Sequence, residues 1–482
     1  MKTYTKKVLY SILCLAIFSF SMQSCKVEKK EKAKADAFIE ADNIIKSIKV
    51  LEFPDKNYNI VDYGAVSDGK TLNTEAIAKA INACNEAGGG KVIIPTGDFL
   101  TGPIELKSHV NLHLEAGANV LFSTNHKDYL PIVHTSYEGV ELMNYAPLIR
   151  AYKQDNIAVT GKGVLNGQGS NENWWPWCGK DVYGYVEGAV KQHDSINLPR
   201  LRKMNEDQTP IAERTFGDGY QLRPTFFEPM DCTNVLLEGV TITNAPFWVI
   251  HPLRCEFVRI DGVTVSSHGP NNDGCDPEYS KNVHITNCTF DTGDDCIAIK
   301  AGRNNDGRRV NIPSENIVIE NCDMKDGHGG VVLGSEISAG VRNVFVRHCK
   351  MDSPNLDRAI RIKTNTLRGG FVENLYVRDV QVGQVKEAAL KINLHYGIYA
   401  NQEGEHIPTI KNVHLENMTV ENSGKYGVLI HGREEAIIEN VTLTNVHIKG
   451  AKTPMKVDNS EPVVFKNTTI NGEAYDTKPT TK

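Results

Sequence analysis

From residue 234 onward the chain alternates apolar and polar positions in short bursts, and the bursts recur. Segments starting at Asn234, Phe257, Asn282, Asn316, Asn343, Asn374, Asn412, Glu435 and Pro462 superimpose. One residue after these starts stand Val235, Val258, Val283, Ile317, Val344, Leu375, Val413, Ala436 and Val463. Three residues after them stand Leu237, Ile260, Ile285, Ile319, Val346, Val377, Leu415, Ile438 and Phe465. Two further apolar positions follow, at six and eight residues, so each unit holds two short strands joined by a bend, with starts 23 to 38 residues apart. Such a unit is too small to bury its own apolar face, whereas stacked units share one continuous core. The pattern predicts an all-β solenoid, a single-stranded parallel β-helix, since neither a leucine-rich nor a propeller signature is present. Upstream, Asn73 is placed to cap a helix with Ile77, Ala80, Ile81 and Cys84 on its apolar face, ending at Gly88-Gly89-Gly90. One helix before many strands is expected to cap the end of the stack.

The N-terminus follows a different logic. Lys2, Lys6 and Lys7 precede an apolar run from Val8 to Phe20, too short to span a bilayer, and Ser21-Met22-Gln23-Ser24-Cys25 resembles a lipobox. Residues 1–24 read as a lipoprotein-type signal peptide and Cys25 as the lipidated first residue of the mature chain. Residues 25–55 read as a charged tether containing a short helix within 36–52, and 56–482 as one domain with an insertion around 170–225. The expectation is an exported outer-membrane lipoprotein, periplasmic or cell-surface, held to the membrane by lipid alone. The 59 acids and 53 bases give a net charge of −6, and losing three leader lysines makes it −9. That balance argues against a nucleic-acid partner. Capped solenoid ends leave no stacking surface that demands another subunit, so a monomer is expected.

Cys288, Cys322 and Cys349 share one inward position in consecutive units. Packed thiols fit that placement better than a metal site, and no CxxC pair exists. No cofactor is called for. Nine cysteines remain after Cys25, and one or two disulfides are compatible with export.

Candidate chemistry interrupts the repeat at Asn271-Asn272-Asp273-Gly274, Gly293-Asp294-Asp295-Cys296-Ile297-Ala298-Ile299-Lys300, Gly327-His328-Gly329-Gly330 and Asp357-Arg358-Ala359-Ile360-Arg361-Ile362-Lys363. Matching the short strand that ends each stretch places Asp273, Asp295, Gly329 and Arg358 in one column, with Asp294 and His328 just before it. Adjacent strands lie about 4.8 Å apart, so an exposed strip of carboxylates, an imidazole and cations results. Ile360 and Ile362 face the core, which turns Arg361 and Lys363 outward together. Asp294 and Asp295 require a bend at Gly293 if both are to reach the cleft. Paired carboxylates suit glycosidic hydrolysis, one giving a proton to the leaving oxygen and another activating water, at about 6.5–9.5 Å separation for inversion. The two cations suit an acidic sugar. A calcium-binding aspartate cluster offers similar oxygen ligands.

With DYGAVSDGKTLNTEAI, NNDG, GDDCIAIK, DGHGG and RIK in order, the sequence resembles glycoside hydrolase family 28, the polygalacturonase-type pectin hydrolases, over nearly all of the mature chain. The context GDDCIAIKAGRNNDGRR is similar to the bacterial exo-acting branch. The resemblance implies a right-handed β-helix and inverting hydrolysis of α-1,4-galacturonic acid linkages. It implies Asp294 as general acid, Asp273 and Asp295 as water-activating carboxylates, and His328 as the residue tuning the acid. Arg361 and Lys363 would hold the sugar carboxylate, with Asn271 and Tyr396 as further substrate contacts. Asn271-Asn272-Asp273 departs from the family's more frequent Asn-Thr-Asp.

Residues 170–225 break the repeat with Trp174, Trp175 and Trp177 and a helix-compatible stretch, VKQHDSINLPRLRKMNEDQ. The tryptophans read as a brace. The whole insertion reads as a wall that closes one end of the cleft and enforces attack at chain ends, on pectic polysaccharide or oligogalacturonide. Trp248 and His251 either line that cleft or support the coil. A hydrolase of rhamnogalacturonan, a calcium-dependent β-helix pectate lyase and a non-catalytic glycan-binding solenoid are the competing readings.

Overall fold

The computed structural model describes residues 36–397 and 403–477. The proposed signal peptide and Cys25 lie outside the described residues. The chain divides into two compact units, residues 1–40 and 41–482. Of the first, the described residues are 36–40, which open a helix running Phe38–Ser47. Among the described residues no helix is long and apolar enough to cross a membrane.

The second unit is a parallel β-helix. Successive coils stack Thr233–Glu238, Glu256–Asp261, Lys281–Thr286, Ser314–Glu320, Val341–Arg347, Phe371–Gln384 and Thr409–Asn422. All pairings between them are parallel. Their register runs Val235, Val258, Val283, Ile317, Val344, Leu375, Val413, and these side chains are buried in one core with their partners two residues on. The repeat read from sequence is this register for seven coils. It fails at the eighth: Val413 pairs with Val441 and Leu415 with Leu443, so that coil starts at Asn440 and not at Glu435. Ala436 and Ile438 imitate the rhythm because they too are buried, but they sit in the bend before the strand.

Asparagine marks the true starts. Asn234, Asn282, Asn316, Asn343, Asn374, Asn412 and Asn440 all have φ between +50° and +62°. Asparagine tolerates this left-handed conformation better than other side chains that carry a Cβ. Each amide from Asn316 to Asn440 donates through Nδ2 to Oδ1 of the asparagine one coil earlier, at 2.7–3.1 Å. The ladder fixes the angular register of the coils, and through them the active face.

The capping helix runs Thr74–Glu86 and buries Ala76, Ile77, Ala80, Ile81 and Cys84 into the same core. Asn73 stands at its N-cap without capping it. Its side chain instead accepts from Val66 N and donates to Val66 O, Thr71 O and Leu100 O, stitching the preceding loop to the first coils. All nine described cysteines are buried free thiols, so the disulfides that export would allow are not formed among them. Cys288, Cys322 and Cys349 pack inward in the predicted column.

A second face carries the chemistry. Parallel strands Ile297–Ile299, Val331–Gly334, Arg358–Lys363, Ala388–Asn393, Tyr426–His431 and Thr453–Asp458 form a six-stranded sheet. Bridges Phe227–Ile250, Ile250–Cys275 and Cys275–Ile297 extend it toward the capped end. There the coils pair through isolated bridges, a second set running Met230–Leu253, Leu253–Glu278 and Glu278–Lys300.

Asn343→Ala tests the ladder. It removes one donated and one accepted hydrogen bond and forces alanine to φ +56°, so a loss of about 2–3 kcal/mol is expected in denaturant unfolding. Asn343→Gly, which relieves the backbone cost alone, should lose less. Equal stability of all three proteins would show that the ladder contributes nothing.

Candidate active site

The predicted column is present. Cys275, Ile297, Val331 and Ile360 are in register, which sets Asp273, Asp295, Gly329 and Arg358 two residues earlier on neighbouring coils. The backbone bends at Gly293-Asp294. A Cβ on Gly293 would meet Gly269 O at 2.4 Å, so the close approach of the preceding coil demands glycine there. The bend brings Asp294 onto the wall of a cavity of about 450 Å³, together with Asp273, His328, Arg361, Lys363, Asn271 and Tyr396. Asp295 does not line the wall. It is fully buried behind it, because Lys363 Nζ and Arg361 Nη1 cover its carboxylate at 2.6 and 3.5 Å.

The strip expected to be exposed is therefore mostly covered: Asp273 is 3% accessible and Arg361 and Lys363 are 7% and 6%. The nearest oxygens of Asp273, Asp294 and Asp295 lie within 4.8 Å of one another. Cations crowd them together, with Lys300 Nζ at 3.2 Å from Asp273 and Lys363 on Asp295. The same three oxygens have the spacing to ligate a divalent metal. Their flanks are already held by Lys300, Lys363 and Arg361, so an added cation would meet three positive charges and the cluster does not fit calcium.

These contacts divide the protons unequally. Burial, reinforced by the neighbouring Asp294, raises Asp273 to about 7. Burial alone would also raise Asp294, but the His328 imidazolium, with Lys363 and Lys300, outweighs it and holds Asp294 below the usual carboxylate range. Asp295 is likewise lowered, Lys363 and Arg361 overcoming its burial. His328 Nδ1 lies 3.0 Å from Asp294 Oδ1, and that carboxylate raises the imidazole to about 9. His328 is half exposed, so solvent screens part of this coupling. At neutral pH one proton thus resides on the His328–Asp294 pair, and Asp273 is near its midpoint, ionised in about half of the molecules. Asp294 Oδ2 takes no hydrogen bond from any described residue and is left to the cavity.

Asn271 Oδ1 accepts from Arg223 Nη2 at 2.8 Å, fixing its side chain at the cavity edge, while Asn272 is buried and braces the turn through Ser267 and Gly269. Tyr396, the tyrosine proposed beyond Lys363, lines the cavity with its ring centroid 5.3 Å from Lys363 Nζ and 5.5 Å from the Arg361 guanidinium. Trp248 lines the cavity beneath Lys300 Nζ, 4.6 Å from its ring centroid. His251 does not reach the cavity. It is buried between Glu228 and Glu278 at 3.1 and 2.8 Å and supports the coil.

The insertion both braces and walls. Trp174 is buried against Tyr129 and Trp177, and Trp175 Nε1 donates to Ala245 O at 2.9 Å. The helix within it runs Leu198–Glu206. Cys178, Lys180, Tyr183, Gln192, His193 and Arg202 contribute to the cavity lining. The hairpin Val133–Tyr137 and Val140–Asn144 adds Glu138 at its tip. Sequence reasoning missed Lys300, Glu138, Arg303, Glu336 and Arg368. Lys300 was detectable, since Ile297 and Ile299 face inward and the parity that exposes Lys363 applies equally to it. Glu138 had no such signal, because it lies on a hairpin outside the repeat.

The model of the family "Glycosyl hydrolases family 28" matches residues 212–469, and that of "Rhamnogalacturonase A/epimerase, pectate lyase-like" matches 57–122. The chain is similar to the solved hyperthermoactive exopolygalacturonase of Thermotoga maritima, with 41% identity, TM-score 0.87, and 91% of this chain and 97% of that one covered. The Yersinia enterocolitica family 28 exopolygalacturonase gives 28% identity and TM-score 0.71 over 88% of this chain and 76% of that one. The exo-poly-alpha-D-galacturonosidase of Dickeya chrysanthemi is 31% identical over 76% of this chain, which spans 63% of that protein's length. Its coils, its clustered aspartates and these likenesses together make the chain a member of glycoside hydrolase family 28, an enzyme built on a right-handed parallel β-helix.

Proposed function

We propose that the enzyme hydrolyses α-1,4-galacturonic acid linkages in pectin from a chain end, with inversion at the anomeric carbon. The observation that carries this reading is the Asp294–His328 pair, which holds a proton beside two further carboxyls and under the cations Arg361 and Lys363. The exopolygalacturonases named above support the substrate and the mode of attack. Arg361 and Lys363 take a uronate carboxylate, Arg361 as a planar fork and Lys363 as a point charge, with Tyr396 and Asn271 beside them.

Asp294 passes the pair's proton, received from His328, through Oδ2 to the leaving glycosidic oxygen, and the pair takes up a new proton from solvent between turnovers. Asp273, which reaches the cavity, accepts a proton from the attacking water, whose oxygen bonds to the anomeric carbon. Asp295, buried behind Lys363 and Arg361, holds the two cations in place. No step calls for a metal or cofactor. The leader and Cys25 give the sequence basis for export, lipidation and attachment to the outer membrane, where a monomer would work on pectic oligosaccharides.

The end-wall role has a clean excision. Gln192 N donates to Trp177 O at 2.7 Å, so the ends of the loop that carries Cys178, Lys180 and Tyr183 already meet. Replacing residues 179–190 by a short Gly-Ser linker should turn stepwise release of short saturated galacturonates into mid-chain cutting, seen as a faster viscosity drop per bond cleaved. Unchanged products would remove the wall from the account. Chelator-sensitive, ultraviolet-absorbing products from the parent enzyme would make it a lyase.

The proton inventory predicts a bell-shaped profile of kcat/KM. Activity rises as Asp273 loses its proton through about pH 7 and falls as the His328 pair loses its proton through about pH 9. In His328→Gln the proton must reside on Asp294 alone. Its pKa rises without the imidazolium but stays far below that of the pair, so the alkaline limb moves to lower pH. An unmoved alkaline limb would show that His328 holds no catalytic proton.

A further inference from the structure

Arg223 stands at the end of the insertion, just before the strand Phe227–Met230, and is buried at 1% accessible, behind the lining of the cavity rather than in it. Its guanidinium nonetheless reaches three elements that build that cavity. Nη1 donates to Pro246 O at 2.9 Å and to Pro270 O at 2.7 Å, the backbone of two successive coils. Nη2 donates to Gln192 Oε1 at 2.9 Å, in the insertion, and to Asn271 Oδ1 at 2.8 Å, in the turn that carries Asp273. Gln192 Oε1 accepts a second hydrogen bond from Tyr137 OH at 3.0 Å, at the end of the hairpin strand that leads to Glu138. Tyr137 in turn stacks on Phe247 at 4.4 Å between ring centroids, and the guanidinium lies 5.2 Å from the Phe247 centroid. Hairpin, insertion and catalytic turn therefore meet at one side chain.

Other guanidinium groups around the cavity face carboxylates, as Arg303 faces Glu138 and Arg361 faces Asp295. All four hydrogen bonds of Arg223 go to neutral oxygens instead. Arginine stays charged in a protein interior, and a buried charge without a counter-charge is costly. An apolar side chain of similar volume would fill the space at less cost. It could not address four oxygens at fixed angles, which is what a planar fork does. Two of those oxygens belong to Gln192 and Asn271, both of which line the cavity. We infer that Arg223 is a positioning residue that fixes Asn271 against the substrate and locks the insertion wall to the same catalytic turn. The closed end of the cavity and the bound sugar then keep one separation. This rests on the galacturonan reading of the site, and it assigns part of the end-cutting specificity to a side chain that touches no substrate.

The test measures kcat, KM and products on hexagalacturonate for Asn271→Ala, Arg223→Gln and the double variant, with a melting curve for each. Asn271→Ala should raise KM by about 5- to 10-fold, the range for one lost hydrogen bond, and still release products from the chain end. Arg223→Gln should raise KM by a similar factor and, because it also lets go of Gln192, should add mid-chain products. The double variant should show the KM of one single variant and not the product of both effects, since the two residues act through one contact. Arg223→Lys keeps the charge without the fork and should fall between the parent and Arg223→Gln; it carries the same cycle if the glutamine variant does not fold. A merely structural arginine would lower the melting temperature and leave KM and products unchanged, which would overturn the assignment. So would KM effects that multiply in the double variant, or an Asn271→Ala enzyme with the parent's KM. Failure of the parent to hydrolyse any galacturonan would instead overturn the functional reading, and this role with it.

Discussion

Every coil must bury an inward row of aliphatic side chains that it cannot bury by itself, and parallel stacking is the solution this chain uses. That constraint sets the geometry of everything else. Because coils repeat at the spacing of adjacent β-strands, residues dozens of positions apart become neighbours along a column, as Asp273, Asp295, Gly329 and Arg358 do. The asparagine ladder keeps those columns from slipping around the axis. A slip would cost the inward packing and scatter the charged groups together.

On this scaffold the electrostatics are built by opposition. Three aspartates are forced close, and each receives a different partner: Lys300 for Asp273, His328 for Asp294, Lys363 with Arg361 for Asp295. Like charges at this distance cannot all ionise in a buried site, and the partners decide which one keeps its proton. The arrangement stores a proton at neutral pH next to carboxylates able to take another, which is the requirement of acid-base hydrolysis. It is also costly to stability, so the surrounding core must offset it.

The repeating part of this design was legible in the sequence because period and parity are written locally. Inward valines and isoleucines gave the coil register, and the same parity placed Arg361 and Lys363 outward. It broke at Glu435, where Ala436 and Ile438 are buried in a bend and copy the strand rhythm, although Asn440 carried the better signal. Burial of the site was not legible, since the covering elements lie outside the repeat. The hairpin bearing Glu138 and the insertion bearing Arg202 fold over the cavity through tertiary contacts that no local pattern encodes. The same holds for Asn73, whose position suggested a cap while its amide serves three backbone carbonyls of neighbouring segments.

The central claim is that Asp294, fed by His328, protonates the leaving oxygen. It is tested most directly by comparing Asp294→Asn on polygalacturonate and on an aryl galacturonide whose phenol leaves without protonation. The account predicts a loss of about 10²–10⁴ in kcat on the polymer and a much smaller loss on the aryl substrate. Equal losses on both, or full activity on the polymer, would contradict it.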